Sequence, residues 1–172
     1  VSRRTMSISL PCACAPEESD RGRLMVNQML KAEDLIGIYV GRGQDYLAKD
    51  GTVVKPPERP GPAPSRIAYT KEGLVIVVST PADRVKVDAK DPSQATIEEK
   101  ARMADGVVAY AGRYEIKGDT VIHHIEVSFF PNLVGRANVR KPTFQGKLLI
   151  LTTEPDEKGG VQRIYWERVD KA

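Results

Sequence analysis

The most constraining stretch of the chain runs from Val107 to Val134, VVAYAGRYEIKGDTVIHHIEVSFFPNLV, where two β-rich runs flank Lys117-Gly118-Asp119. A Gly-Asp pair between alternating apolar and polar residues is a strong hairpin signal, because a tight turn needs residues that tolerate positive φ. With Gly118 and Asp119 as the loop, Tyr114 lies opposite His123, Gly112 opposite Ile125 and Tyr110 opposite Val127; a Lys117-Gly118 loop shifts the partners and keeps the faces. Strand side chains alternate. One face therefore carries Val108, Tyr110, Gly112, Tyr114, Val121, His123, Ile125, Val127 and Phe129, and the other carries Arg113, Glu115, Thr120, His124, Glu126 and Ser128. The first is apolar apart from its phenols and one imidazole and is expected to line a core or cavity; the second is expected to meet water.

Such a hairpin needs more strands, and the chain supplies them at short, regular spacing. Leu35 to Val40 reads as a first strand with Leu35, Gly37 and Tyr39 on one face, and a weak second run follows at Gln44 to Leu47 before the Asp50-Gly51 turn. Ser65 to Thr70 and Leu74 to Ser79 form another hairpin, closed by Lys71-Glu72-Gly73 with Gly73 in the left-handed region. Its second arm, Leu74 to Val78, is apolar on both faces, which predicts a strand covered on both sides. Val134 to Arg140, Leu148 to Thr153 and Val161 to Val169 complete the series, the last two joined by the polar loop EPDEKGG. Ser93 to Ala104 is the one convincing helix, with Ser93 as N-cap and Ile97, Ala101 and Ala104 recurring at i, i+4 and i+7. It is the expected outer cover of the Leu74 strand. Strands in this rhythm predict an all-β, closed antiparallel barrel of about 8–10 strands with one short helix.

Length and charge limit what such a barrel can do. A 172-residue chain with 41% hydrophobic residues suffices for one domain without cross-links. Residues 1–30 read as a disordered N-terminal arm and 31–172 as the barrel domain. Lys55 to Pro64 holds five prolines and is taken as an extended rim loop. The formal charge is +3, but Val1 to Ala32 carries five basic and three acidic residues, leaving 21 against 20 elsewhere. That balance offers no basic face for nucleic acid. No run reaches the roughly 20 apolar residues of a membrane span. The N-terminal apolar run is interrupted by serines and Pro11, which favours a cytoplasmic protein over a secreted one. Cys12 and Cys14 have no neighbouring Cys or His to close a metal site.

In this order and spacing, Leu35-Ile36-Gly37-Ile38-Tyr39, Ala68-Tyr69-Thr70 with Gly73, Ala109 to Tyr114, Gly118-Asp119 with Ile122 to Ser128, Phe130-Pro131-Asn132 with Gly135, Arg140, and Trp166-Glu167-Arg168 resemble the bacterial and fungal lipocalin-like domain family. The resemblance covers about Leu35 to Val169 and implies a calycin-type barrel around a small-molecule cavity. Lipocalin-type barrels usually open with Gly-x-Trp; Gly37-Ile38-Tyr39 puts a tyrosine in the tryptophan's place. The resemblance further implies that Tyr39 packs on Arg168 and seals one barrel end by a cation–π contact.

The chemistry-bearing residues are few. P-loop, nucleophile-elbow and HExxH motifs are absent from the sequence. His124 and Glu126 share the outer face while His123 points inward, so the three do not converge on an ion, and no metal or cofactor is assigned. Haem on His123, by analogy with nitrobindin-like barrels, is the alternative. His123 is either a core histidine bonded to Tyr114 or a backbone carbonyl, or the inward group that moves a proton near neutral pH. Asn138 and Arg140 share one face of their strand and join the site if that face is the inner one.

Two functions follow. In the first, the barrel binds an apolar small molecule, with Tyr39, Tyr110, Tyr114, His123, Phe129, Asn138, Arg140 and Trp166 as ligand-binding residues. In the second, the same cavity belongs to a cofactor-independent cyclase, isomerase or dehydratase of a biosynthetic pathway, with His123 and Tyr114 catalytic and His123 the general acid or base. A scaffold with a filled core is the third and blandest reading, and a homodimer is an assembly the chain allows.

Overall fold

The computed structural model describes residues 29–55 and 64–169. Its strands are β1 (Gly37–Leu47), β2 (Val53–Val54), β3 (Ser65–Tyr69), β4 (Leu74–Ser79), β5 (Val108–Lys117), β6 (Thr120–Ser128), β7 (Ala137–Gln145), β8 (Leu148–Thr153) and β9 (Val161–Arg168). Every pairing is antiparallel, in the order β2-β1-β3-β4-β5-β6-β7-β8-β9, and a β1–β9 ladder closes the ring. Because β2 pairs only the end of β1, the closed barrel has eight strands. Closure removes the sheet edges that short apolar strands would otherwise expose. The N-terminal arm with Cys12 and Cys14, and most of the proline-rich loop, lie outside the described residues. No helix among the described residues is long and apolar enough to cross a membrane.

The central hairpin turns at Gly118-Asp119, with Lys117 opposite Thr120 and Gly118 at φ 64°. A positive φ at the first central residue is what suits the turn to the twist of its strands. Tyr114 pairs His123 and Gly112 pairs Ile125, as the sequence pattern predicts. Beyond Gly112 the expected register fails: a bulge between Ala111 and Gly112 puts Tyr110 opposite Ser128 and Ala111 opposite Val127. An ideal Cβ on Gly112 would stand 1.9 Å from the His124 carbonyl oxygen, so the partner strand bends over a residue with no side chain. One extra residue in β6 reverses its faces, turning Ser128 inward and leaving Val127 and Phe129 exposed. A similar shift between Gly41 and Gly43 lets β1 run unbroken through Leu47, where a separate second strand was expected.

The helix also differs from expectation. It spans Ile97–Ala104 (α2) and starts at Thr96 in a capping box with Glu99, while Ser93 belongs to a 3-10 turn at Pro92–Gln94. Its apolar residues are not its anchor: Ile97 is 81% exposed and Glu99 is buried. The Glu99 carboxylate accepts from the backbone N–H groups of Asp88, Ala89 and Thr96, which holds its pKa below the usual carboxylate range. Since α2 is tied to its own preceding loop, Leu74, Ile76 and Val78 on the outer face of β4 remain exposed. The expected cover of that strand is not there.

One end of the barrel is plugged. Leu35, expected to open the first strand, instead ends a single helical turn (α1, Ala32–Leu35) that drops its side chain into the core. Leu35, Tyr39, Tyr69, Val75, Val121, Leu149 and Trp166 belong to one buried cluster. Arg168 lies over the Tyr39 ring, 5.1 Å from its centroid. Its guanidinium donates to the Tyr39 hydroxyl at 2.6 Å and to the carbonyls of Asp34 and Ile36, and Tyr39 donates in turn to the Leu35 carbonyl at 2.9 Å. The cation thus closes the chain termini of the barrel onto one another while meeting the last carbonyls of α1.

Candidate functional site

Antiparallel order places the starts of β1, β4, β6 and β8 at the plugged end and the starts of β3, β5, β7 and β9 at the other. The inner face toward that second end is different in kind. Gln44, Tyr110, Asn138, Arg140 and Gln162 are on it, and each is at least partly exposed. A depression of about 410 Å3 opens there, lined by Gln44, Asp45, Tyr46, Val54, Thr153, Asp156, Gly160 and Gln162. Arg140 pairs Val121 on one side and Thr153 on the other, so it lies between this depression and the aromatic network around His123.

That network is the candidate site. His123 is 1% exposed and bonded through both ring nitrogens: Nε2 to the Tyr69 hydroxyl at 2.8 Å and Nδ1 to the Tyr110 hydroxyl at 3.0 Å. A neutral imidazole has one acceptor nitrogen and one donor, so the two phenols play unlike parts. Tyr69 is 2% exposed and its hydroxyl has no other partner among the described residues. Its proton therefore goes to Nε2, because the opposite tautomer would bury an unpaired O–H. Nδ1–H then donates to the Tyr110 oxygen, and the Tyr110 hydroxyl, also hydrogen-bonded to the Asn138 side chain, is the last donor of the chain on the inner face. Three groups polarised in series make that last donor stronger than an isolated phenol.

Electrostatics fix the protonation state. Burial first, then the Arg140 charge and His124, lower the His123 pKa from 6.5 to about 3. Burial raises the Tyr69 pKa well above 10.0, with neighbouring phenols adding and Arg140 opposing. Burial also raises the pKa of Tyr110, against the pull of Arg140 and the adjacent Asn138 amide. At neutral pH the imidazole and both phenols are uncharged.

The expected site residues divide between the two ends. Tyr110, His123, Asn138 and Arg140 share the inner face, which answers the parity question for β7. Tyr114 is also inward, but its hydroxyl donates to the Thr70 carbonyl at 2.9 Å, and its ring meets Tyr69 edge-on at 5.2 Å. His123 is bonded to Tyr69 and Tyr110, not to Tyr114. Tyr39 and Trp166 lie in the plugged core, the latter with its indole Nε1 buried and unpartnered among the described residues. Phe129 is 53% exposed beyond the end of β6, displaced from the lining by the bulge. His124 faces outward, as expected, and meets Glu115 at 3.0 Å, while Glu126 pairs Arg113.

Sequence reasoning missed Tyr69 as the partner of His123. The signal was present: Ser65, Ile67 and Tyr69 alternate inward along β3, and Gly112 sits in the cross-strand row Tyr69–Val75–Gly112–Ile125, beside His123. It missed Thr153 and Gln162 as well, which the consecutive β7–β8 and β8–β9 pairings bring toward Arg140.

No curated protein matches the chain. A family model described as a lipocalin-like domain matches residues 60–169, the stretch that contributes every barrel strand except β1. With the eight-stranded antiparallel closure and one short helix, this match shows that the chain belongs to the lipocalin-like domain family.

Proposed function

We propose that the barrel binds a small, largely apolar molecule through its open end and holds an acceptor oxygen of that molecule on the Tyr110 hydroxyl. The observation that carries this reading is the Tyr69–His123–Tyr110 chain, which ends on the inner face in the Tyr110 hydroxyl beside the Asn138 amide and Arg140. A fold built for small-molecule binding supports it, as does the contrast between a buried plug and a partly exposed polar end. Binding is favoured over the cyclase, isomerase or dehydratase alternative by the state of His123. A general base works best with a pKa near the working pH, and this imidazole takes a proton only near pH 3.

The chain's single tryptophan gives the test a reporter, since Trp166 has one indole 1H–15N resonance and lies on the inner face. A panel of apolar aryl ketones and alcohols should move that resonance saturably. Tyr110→Phe, which keeps the ring and removes the O–H, should weaken the best binder by about 10-fold, the scale of one hydrogen bond. No saturable shift from any member, or equal affinity in the variant, contradicts the reading.

A further inference from the structure

We infer that the natural ligand is an acid whose carboxylate is held by Arg140, with Tyr110 donating to the same group; this rests on the binding function proposed above. The argument is one of sign. The inner face of the eight strands carries no carboxylate, whereas Arg140 stands on it in the cross-strand row with Val121 and Thr153. Among the described residues the only partner of the Arg140 guanidinium is a backbone carbonyl, that of Val139, reached by Nη1 at 2.7 Å. A guanidinium has five N–H donors in a planar fork, so most of its capacity has no partner among the described residues. The other inward arginine, Arg168, is by contrast spent on Tyr39 and two carbonyls.

Every unmet demand on this face asks for the same complement. Arg140 offers a cation without an anion, and the Tyr110 hydroxyl beside it has only the His123 ring and the Asn138 amide as partners. No inner-face acceptor of fixed negative charge competes for them. A neutral ligand would satisfy Tyr110 and leave the Arg140 charge uncompensated. A cation would be repelled by Arg140 and would find in the depression only carboxylates already committed, Asp45 to Arg163 and Tyr165 and Asp156 to Tyr46. A carboxylate answers both neighbours, because its two oxygens accept from a guanidinium and a phenol at once, and charge-assisted bonds of this type are about twice as strong as neutral ones.

The test uses a matched pair of probes, 1-naphthoate and its neutral isostere 1-naphthamide, titrated at pH 7.5 and read at the Trp166 indole resonance. The carboxylate should bind at least 10-fold more tightly. Arg140→Gln should bring the two affinities within about threefold of each other, mainly by weakening naphthoate, and Arg140→Lys should restore part of the preference. Unaltered dispersion of the amide spectrum shows that each variant is folded. If naphthamide binds as well as naphthoate, or the preference survives in Arg140→Gln, the acid assignment is overturned while the binding function stands. If neither probe moves the Trp166 resonance, the binding function falls and the inference with it.

Discussion

The two ends of this barrel are built from the same strands and treat polar atoms in opposite ways. At the plugged end, Tyr39, Arg168, Asp34, Ile36 and Leu35 are tied to one another by hydrogen bonds, and the cluster behind them is buried, with the Trp166 Nε1 its one unpartnered side-chain polar atom among the described residues. At the open end, Gln44 and Gln162 line a depression, Asn138 and Arg140 sit partly exposed on the same inner face, and the Arg140 guanidinium meets only a backbone carbonyl among the described residues. His123 joins the two, accepting from buried Tyr69 on one side and donating to Tyr110 on the other. A closed barrel needs only one finished core to hold its shape. The second end is then free to be incomplete, and a cation without an anion, Arg140, is what a ligand can use.

The comparison breaks most readily from the plugged side. Tyr39→Ala removes a ring that is fully buried against Tyr69 and Arg168, and should cost about 3–5 kcal/mol in urea unfolding. Gly112→Ala drives a Cβ into the His124 carbonyl and should cost on the order of 3 kcal/mol by forcing β5 and β6 apart. A loss under 1 kcal/mol for either would mean that the plug or the bulge is not what organises the barrel.

Tyr69→Phe tests the junction. It strips His123 Nε2 of its donor inside the core and should cost about 1–3 kcal/mol. Acid acts on the same group. Its folded pKa of about 3 lies below its ordinary 6.5, so between those values the unfolded chain takes up a proton that the folded chain refuses. The stability this contributes is complete above about pH 6.5 and is lost as pH falls toward 3, at up to about 1.4 kcal/mol per pH unit. Equilibrium unfolding of His123→Gln across the same range should lack that slope.

The smallest effects belong to the open end and the outer wall. Gln162→Ala should leave stability within about 0.5 kcal/mol, since its side chain lines the depression and packs no core. His124→Gln should be as silent, because its contact with Glu115 is solvent-exposed.

How legible was this in the sequence? Alternation and turn residues carried most of the barrel, because a strand's period and a glycine's φ are local properties: Gly118 and Gly73 fall at the turns expected of them. The inward face of His123 was readable for the same reason. What failed depended on one residue of register. The bulge beside Gly112 is invisible to a period-two reading, and it alone moves Phe129 off the inner face and Ser128 onto it. The helix misled because small apolar residues at helical spacing look like a packing face, whereas the anchoring residue is Glu99, answering three loop N–H groups. The inward face of Tyr69 was readable from the alternation of β3, but its contact with His123 spans 54 residues and forms only when β3 to β6 align.

The central claim is that His123 is held neutral between two phenols so that Tyr110 becomes the donor. Long-range 1H–15N spectra of the His124→Gln variant, which leaves His123 as the chain's only histidine, test this directly from pH 8 to pH 4. The account predicts a neutral ring throughout, with the proton on Nδ1 and an acceptor nitrogen at Nε2. An imidazolium formed by pH 6, or a proton resident on Nε2 at neutral pH, would contradict it.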